Sequence, residues 1–326
     1  MKYVYLGRTG IQVSRICLGT MTFGKEADEA ASNAIMDRAF EQGVNFFDTA
    51  DIYNRGRTEE IVGPWLRDRR GDIVLASKVH FPTSKDINDR GSSRRHILRG
   101  VETSLKRLGT DRLDLLYLHH WDDHTDIRHS LDAVDQLIRQ GKVLHGAVSN
   151  FAAWQTMQAL ATAEREHFAP IVAIQPMYNL VKRQAEVEIL PMAQANHLAV
   201  CPYSPMGAGL LTGKYQRREA GRIDVNPMYK ERYKDPRYME TSTRFVEYAR
   251  EREWSPAALS VAWVAHHPAV TSAIVGARSV AQLDEALESE AIELTGAQRG
   301  EIDDLSVAPP RATDREDPSF VPPAKK

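Results

Sequence analysis

The stretch GVNFFDTADIYNRG, residues 43–56, contains a short apolar run, Val44 to Phe47, that ends on Asp48. A glycine precedes the run and stops a helix-like segment, so the run is predicted to be a buried strand that follows a helix. Burying an unpaired carboxylate is costly, and Asp48 therefore needs a partner or a chemical task. Tyr53 follows on the predicted loop after this strand.

The alternation of apolar strand and amphipathic helix recurs along the chain. Helical periodicity covers segments such as 28–43, 93–109 and 127–141, each ending at a glycine. Apolar strands separated by helices indicate a parallel sheet covered by helices. The eight predicted strands are RICLGT (15–20), NFFDT (45–49), IVLASKV (73–79), LDLLYLHH (113–120), LHGAVSN (144–150), IVAIQPM (171–177), LAVCPYSP (198–205) and SAIVGAR (272–278).

Eight such units favour an α/β fold of the (β/α)8 TIM barrel type over an open doubly wound sheet, although a count of units does not establish closure. The opening residues 2–16 alternate around a turn at Arg8 to Gly10, which predicts an N-terminal β-hairpin closing one end. Residues 1–308 are predicted to be one barrel domain with long loops at its C-terminal face. The longest of these loops, residues 207–240 after the seventh strand, is expected to cover the site. Residues 309–326, rich in proline and charge, are predicted to be an extended tail.

Composition narrows the classes of function. The formal net charge of −2 over 326 residues argues against a nucleic-acid or anionic-membrane partner. The two cysteines, Cys17 and Cys201, lie in apolar runs and are expected to be buried, reduced thiols. No segment approaches the ~18 uninterrupted apolar residues of a membrane span, so a cytoplasmic protein is expected. Nothing in the sequence indicates an oligomeric state.

Four polar residues lie at or just after the carboxyl ends of predicted strands, where barrels of this kind carry their chemistry: Asp48, Tyr53, Lys78 and His119. Singly, each could be a capping or hydrogen-bonding group. Together, Lys78 can neutralise Asp48 and is expected to lower the pKa of Tyr53 from its usual value near ~10. A neutral His119 can orient a carbonyl oxygen, so the group can deliver a proton to a forming alkoxide. His120, next to His119, is expected to point to the opposite side of the strand and to be structural. The acidic stretch 122–126 is predicted to be a solvated loop, and no metal site is predicted.

The chain closely resembles the aldo-keto reductase family. The motifs that carry the resemblance are residues 6–24, 43–63, 75–79, 113–122, 146–151, 174–180, 203–215 and 274–287. The resemblance implies a (β/α)8 barrel that reduces carbonyls with a nicotinamide cofactor. It places the proton donor at Tyr53, its supporting pair at Asp48 and Lys78, and the carbonyl-orienting histidine at His119. With Tyr53 and His119, Trp121 is predicted to contact the substrate.

The same resemblance implies a cofactor site, and Arg278 makes NADP(H) the expected cofactor because a guanidinium suits the 2′-phosphate. The alternative is that Arg278 makes a surface salt bridge with Asp284 or Glu285. Ser149, Asn150 and Gln175 are expected to bind the nicotinamide amide, Tyr203 to stack on its ring, and Lys214 to serve the pyrophosphate. Ser279 is predicted to cap a helix that faces a phosphate. Ala286 stands where the family often has an asparagine, which weakens the expected hold on the adenine. The full predicted set is Thr20, Met21, Asp48, Ser149, Asn150, Gln175, Tyr203, Ser204, Pro205, Met206, Gly207, Gly209, Lys214, Gly276, Arg278, Gln282 and Glu285.

Two alternative functions are open at this point. One is a redox-sensing binding module that holds the cofactor, as potassium-channel β-subunits of this fold do; the other is an unrelated barrel enzyme such as an isomerase or hydrolase. The expected partner is a small-molecule carbonyl compound. The arginines, aspartates and tryptophan of the predicted loops hint at a polar substrate such as a sugar, a hydroxy-aldehyde or pyridoxal.

Overall fold

The computed structural model describes residues 1–313, which form a two-stranded hairpin and an eight-stranded parallel sheet with helices between the strands. The strands are β1 Tyr3–Tyr5, β2 Gln12–Ser14, β3 Ile16–Gly19, β4 Phe46–Asp48, β5 Val74–Val79, β6 Leu113–Leu118, β7 Val143–Ser149, β8 Ile171–Gln175, β9 Ala199–Val200 and β10 Ala273–Gly276. The helices are α1 Glu29–Glu41, α2 Arg57–Leu66, α3 Arg94–Leu108, α4 Ile127–Arg139, α5 Ala153–Glu166, α6 Ile189–Ala195, α7 Arg222–Val225, α8 Pro227–Arg232, α9 Pro236–Glu251, α10 Pro256–Ala265, α11 Val280–Leu287 and α12 Gly296–Asp303.

The sheet is curled, and its strand order, β10-β3-β4-β5-β6-β7-β8-β9, follows the chain except that the last strand pairs with the first. Hydrogen bonds also join its two ends: Ile274 N donates to Pro202 O at 2.9 Å, and Tyr203 bridges to Ile274. Eight parallel strands in this arrangement are consistent with a (β/α)8 barrel. The carboxyl ends of the strands therefore meet at one face.

Each of the eight predicted strands overlaps an observed strand. Seven of the observed strands are shorter than predicted, and β7 has the predicted length but begins one residue earlier, at Val143. The largest difference is β9, which has two residues where 198–205 was predicted. Pro202 has no N–H to donate, so the regular ladder stops before it, and Tyr203 keeps only isolated bridges to Met177 and Ile274. The residues released from the strand, Tyr203 onward, form the loop at the C-terminal face.

The predicted N-terminal hairpin is present, with Tyr3 paired to Ser14 in an antiparallel register. Its apolar side chains, Leu6 and Val13, are fully buried in one cluster with inward-facing residues of the parallel strands. Gly7 fits against the chain just before β9: a Cβ there would lie 3.0 Å from His197 O, and its φ of +55° favours glycine. The hairpin therefore covers the face opposite the carboxyl ends.

Residues 207–240, predicted to be a long loop, contain a 3-10 helix at Gly207–Thr212 followed by the short helices α7 and α8, and the connection ends before residue 240 because α9 begins at Pro236. Asn226 caps α8 by accepting from Met228 N, and Pro227 occupies the first turn, where a missing N–H costs nothing. We refer to residues 207–235 as the α7–α8 connection. Its local capping explains why it is more ordered than a structureless loop.

Two other predictions concern the C-terminal tail and the two cysteines. The predicted tail, 309–326, lies largely outside the described residues, so the division at residue 308 stays a prediction. Cys17 and Cys201 are buried free thiols, as predicted. Among residues 1–313, no helix is long and apolar enough to cross a membrane.

Candidate active site

A cavity of about 590 Å³ opens at the carboxyl ends of the strands and is covered in part by the α7–α8 connection. Most of the residues predicted for the site line it. They are Met21, Asp48, Tyr53, His119, Ser149, Asn150, Gln175, Tyr203, Ser204, Pro205, Met206, Gly209, Lys214, Gly276, Arg278, Gln282 and Glu285.

Asp48 ends β4, and its missing partner is Lys78, which lies on the adjacent strand β5. Lys78 Nζ donates to Asp48 Oδ2 at 2.5 Å and to Thr49 O at 2.8 Å. Gln175, from β8 across the sheet, donates through Nε2 to the other carboxylate oxygen of Asp48 at 2.8 Å. Both charged side chains are almost fully buried, so the pair is compensated within the protein.

The Lys78 ammonium also touches the phenol of Tyr53, with Nζ 3.1 Å from the hydroxyl oxygen. Burial opposes the charge of Lys78, but Asp48 and Tyr53 outweigh it and raise the pKa of Lys78 to about 12. The lysine is therefore a fixed cation beneath the cavity. It does not line the cavity itself.

The prediction that the pKa of Tyr53 lies below its usual value is wrong, although Lys78 does act in that direction. Burial of the hydroxyl raises the pKa of Tyr53, and this effect exceeds the lowering by the Lys78 ammonium. Tyr53 consequently keeps its proton at neutral pH, which is the form a proton donor requires.

His119 follows β6 and lies beside Tyr53, with the two ring centroids 6.1 Å apart in an edge-to-face arrangement. Burial, together with the positive charge of Lys78, holds the pKa of His119 well below its usual value. The imidazole is thus neutral, as the sequence argument required. Its buried Nδ1 has no hydrogen-bond partner within residues 1–313.

The residues predicted to bind the nicotinamide amide form one hydrogen-bonded network. Asn150 Nδ2 donates to His119 O at 3.0 Å and to Ser149 Oγ at 3.1 Å, while Ser149 Oγ donates to Gln175 O at 3.0 Å. The Tyr203 hydroxyl donates to Asn150 Oδ1 at 2.7 Å. The network fixes Tyr203 and Asn150 beside the Asp48–Lys78 pair.

The loop after Tyr203 turns sharply through positive φ at Ser204, Gly207, Ala208 and Gly209. Lys214 folds back onto it so closely that a Cβ at Gly209 would lie 2.6 Å from Lys214 Cε. Burial and the charges of Arg278 and Arg222 lower the pKa of Lys214. Three cations therefore meet at this end of the cavity.

The helix after β10 begins as predicted. Ser279 is the N-cap of α11, and its side chain accepts from Gln282 N. Neither acid proposed as an alternative partner for Arg278 pairs with it: Asp284 binds Arg38 at 2.6 Å, and Glu285 accepts from Ser255 at 2.8 Å. Neither Arg278 nor Lys214 has a carboxylate within 4.0 Å in the described part of the chain.

Four predicted residues do not line the cavity: Thr20, Lys78, Gly207 and Trp121. Thr20 is buried and donates through Oγ1 to Asp48 O at 2.9 Å, so it supports the strand end. The Trp121 ring packs against Phe151 and the exposed Trp154 instead. Its substrate contact stays a prediction. His120, which the sequence argument assigned to the opposite side and a structural role, does line the cavity because β6 ends at Leu118.

Sequence reasoning missed the side chains that the α7–α8 connection contributes to the cavity, among them Arg222, Tyr229 and Arg232. The available signal was the spacing of Tyr229 and Arg232, three residues apart in a charged segment, which places both on one face of a helix.

Sequence reasoning also missed a second buried acid group behind the site. Asp51 is 1% exposed, and neither of its carboxylate oxygens has a hydrogen-bond partner in the described structure. Glu59 accepts from Ser77 at 2.8 Å and from Arg107 at 3.3 Å. Burial, and then the charge of Glu59, holds the pKa of Asp51 well above its usual value.

Residues 1–313 contain no cluster of three or more His, Cys, Asp or Glu side chains that could hold a metal ion.

Comparison with known proteins agrees with this geometry. Residues 15–307 match the Aldo/keto reductase family. The chain is 40% identical to an uncharacterized oxidoreductase, YrpG, of Bacillus subtilis (strain 168), across 90% of this chain and 92% of the relative. It is 35% identical to a probable voltage-gated potassium channel subunit beta of Oryza sativa subsp. japonica, covering 89% and 91%. It is 30% identical to a putative aryl-alcohol dehydrogenase, AAD16, of Saccharomyces cerevisiae, covering 90% and 94%. On the match over residues 15–307 and these identities, the chain is a member of the aldo/keto reductase family of oxidoreductases.

Proposed function

We propose that the protein is an NADP(H)-dependent reductase of aldehydes or ketones in which Tyr53 is the proton donor. The observation that carries this proposal is the Lys78 ammonium, 3.1 Å from the Tyr53 hydroxyl and 2.5 Å from Asp48, at the floor of a cavity that a neutral histidine also lines. A protonated phenol, a fixed cation and a neutral imidazole together suit proton delivery to a carbonyl oxygen. The substrate classes named from the sequence and the cytoplasmic location stay predictions.

The other end of the cavity fits a dinucleotide phosphate. Lys214, Arg222 and Arg278 bring three positive charges together, and the positive-φ turn at residues 207–209 brings backbone close to Lys214. The N-terminus of α11 adds its own partial positive charge, which favours a phosphate. When bound, a reduced nicotinamide supplies the hydride for the reaction.

The chain's own residues would then act in a defined order. His119 Nε2 and the Tyr53 hydroxyl hold the substrate carbonyl oxygen, because both rings line the same cavity edge to face. As negative charge develops on that oxygen, the Tyr53 hydroxyl gives it a proton. Lys78 stabilises the resulting phenolate, and Asp48 keeps the lysine in place.

Tyr53→Phe tests the proposal. Loss of the proton donor is expected to lower kcat for NADPH-dependent aldehyde reduction about 10²–10⁴-fold, with little change in NADPH affinity. Tyr238→Phe is the matched control, because Lys182 Nζ lies 3.0 Å from the Tyr238 hydroxyl outside the cavity, nearly the same geometry as at Tyr53. A Tyr53→Phe rate within a few-fold of the parent would show that another group donates the proton.

A second candidate is a cofactor-holding, redox-sensing module. The 35% identity to a probable potassium channel subunit beta favours it. The two candidates differ in turnover: a reductase consumes NADPH continuously with a simple aldehyde, whereas a binding module completes at most one exchange per bound cofactor. The reductase ranks first because the four polar residues at the strand ends form one contacting group.

A further inference from the structure

Arg232 is a half-buried cation on α8 that lines the cavity and has no acidic partner. Within residues 1–313 no carboxylate lies within 4.0 Å of its guanidinium, whereas its neighbour Glu231 pairs with Lys234 at 2.5 Å. Its guanidinium carbon lies 5.3 Å from the centroid of the Tyr229 ring on the same helix, and within residues 1–313 its one side-chain hydrogen bond is a weak one to the Met228 sulfur at 4.0 Å. Arg232 is therefore an arginine held at the cavity wall with unused donors.

The surroundings of Arg232 place it at the reaction end of the cavity. Burial raises the pKa of Tyr203 to about 12, against an opposing effect of the Arg232 charge, so the two groups are within electrostatic reach. Burial, and to a lesser extent Tyr229, raises the pKa of the Tyr53 phenol, so the ring over which Arg232 lies is also near Tyr53. Arg222 lies over the same Tyr229 ring, with its guanidinium carbon 5.8 Å from the centroid, but it pairs with Glu26 at 3.6 Å. Of the two arginines on this ring, Arg232 is thus the one without a carboxylate within 4.0 Å among the described residues.

We propose that Arg232 recognises a carboxylate carried by the carbonyl substrate, so that the preferred substrates are oxo acids and not neutral aldehydes. This inference rests on the proposed reductase function. A guanidinium presents a planar pair of N–H donors that matches a carboxylate. One arginine at this end of the cavity matches one negative charge.

The walls between Tyr53 and Arg232 suit the apolar stem of such a substrate. Phe81 and Ile52 line the cavity near the reacting group, and Met228 lines it beside Arg232. A short methylene chain can lie against these side chains while its two polar ends reach Tyr53 and Arg232. A sugar, with a hydroxyl on nearly every carbon, would place polar groups against the same apolar walls.

The test measures kcat/KM with NADPH for 4-oxobutanoate, 5-oxopentanoate and 6-oxohexanoate, each against its own methyl ester. The ester keeps the shape and removes the charge, and three lengths sample the reach to Arg232. At one length or more, the acid should be preferred at least about tenfold, since a charge-assisted pair contributes roughly one to two decades. Arg232→Met should reduce that preference to near unity, and Arg232→Lys should restore part of it.

Lys230→Met is the matched control, because Lys230 is an exposed cation on the same helix that does not line the cavity. It should keep the preference for the acid. Equal turnover of acid and ester at all three lengths, or an acid preference that survives in Arg232→Met, would overturn the inference while leaving the reductase function intact.

Failure of the reductase function gives a different result, because neither acids nor esters would then be turned over. Calorimetric binding of pentanedioate, which has no reducible carbonyl, to the NADPH-loaded protein decides the inference in that case. Binding that weakens at least tenfold in Arg232→Met and not in Lys230→Met supports carboxylate recognition. Binding that is absent in the parent, or equal in the parent and Arg232→Met, overturns it.

Discussion

The two ends of the cavity treat charge in opposite ways. At the reaction end, Asp48 and Lys78 are buried and contact each other; Asp48 also accepts a hydrogen bond from Gln175, and Lys78 also donates one to Thr49 O. At the other end, Lys214 lies near Arg222 and Arg278, and its pKa is lowered by burial and by their like charge. The first group is compensated by the protein. In the second, Arg222 has one carboxylate within reach, Glu26 at 3.6 Å, whereas neither Lys214 nor Arg278 has a carboxylate within 4.0 Å in the described part of the chain.

This difference separates residues that stabilise the fold from residues that fit a ligand. A buried ion pair with satisfied partners holds its geometry without help, but removing either member leaves an uncompensated charge. Like charges placed together lower the stability of the folded state and favour binding of an anion. The same kind of substitution, a cation to a neutral side chain, should therefore lower the free energy of unfolding at the reaction end and not at the other end.

The largest expected effect is that of Lys78→Met. The substitution leaves Asp48 buried without its cation and should lower the free energy of unfolding by about 3–5 kcal/mol, with loss of reductase activity. Urea denaturation measures the stability. A Lys78→Met variant as stable as the parent would show that Lys78 does not compensate the buried charge of Asp48.

Lys214→Met is the matched variant at the other end and should not lower the free energy of unfolding. Because the pKa of Lys214 in the folded protein lies below its unfolded value, charging the lysine carries a cost at neutral pH. That cost fades only as the pH rises through the lowered pKa. A destabilisation by Lys214→Met as large as that by Lys78→Met would remove the contrast between the ends.

Arg278→Ala should produce the next largest effect, on cofactor binding. A charge-assisted contact to the 2′-phosphate contributes about 1.5–3 kcal/mol, so NADPH should bind at least tenfold more weakly while NADH binding barely changes. Fluorescence titration with both cofactors measures this. Arg237→Ala is the control, because Arg237 pairs with Asp235 at 2.6 Å and does not line the cavity. Equal losses for NADPH and NADH, or tighter binding of NADH by the parent, would contradict a 2′-phosphate site.

The smallest expected effect concerns Asp51, which is buried at the reaction end like Asp48 but, unlike Asp48, accepts no side-chain hydrogen bond from a described residue. Its folded pKa is raised by burial and then by Glu59, while Arg107 and Lys78 act in the opposite direction. A raised pKa contributes stability that is complete below the unfolded value and is lost as the pH rises through the folded value.

Asp51→Asn removes that titration. Relative to the parent, the variant should therefore gain stability as the pH rises from 5 to 8, by about 1–3 kcal/mol at most, the cost of an unsatisfied buried group. Thermal unfolding across this range measures the trend, with Asp111→Asn, an exposed site, as the control. A difference between parent and Asp51→Asn that does not change with pH would show that Asp51 does not titrate in this way.

Much of the site could be predicted because its residues end apolar strands. Asp48, Lys78 and His119 follow buried runs, and parallel strands place their carboxyl ends on one face, so sequence position alone indicated that they meet. Ser279 could be predicted as an N-cap from its place before an amphipathic segment. The direction of the Tyr53 pKa shift could not, because it depends on how far burial outweighs one nearby cation.

Side chains from the α7–α8 connection were beyond sequence reasoning for a related reason. Arg222 and Arg232 lie in a charged segment whose composition fits a solvated loop as well as a wall of the cavity. Which of its cations faces the cavity depends on the fold of the connection over the strand ends. The same holds for Asp51: a Cβ added at Gly100 on α3 would lie 3.6 Å from its Oδ2, and no donor among the described residues reaches its carboxylate.

The sequence by itself determined the order of strands and helices, the hairpin and the polar residues at the strand ends, since these depend on local periodicity, glycine stops and capping. Tertiary structure alone decided which charges are compensated, because compensation depends on distances between residues far apart in the chain, as in Gln175 reaching Asp48. It also decided which face of α8 meets the cavity. Local patterns are fixed by neighbouring residues, whereas burial and charge pairing arise only when separate elements pack together.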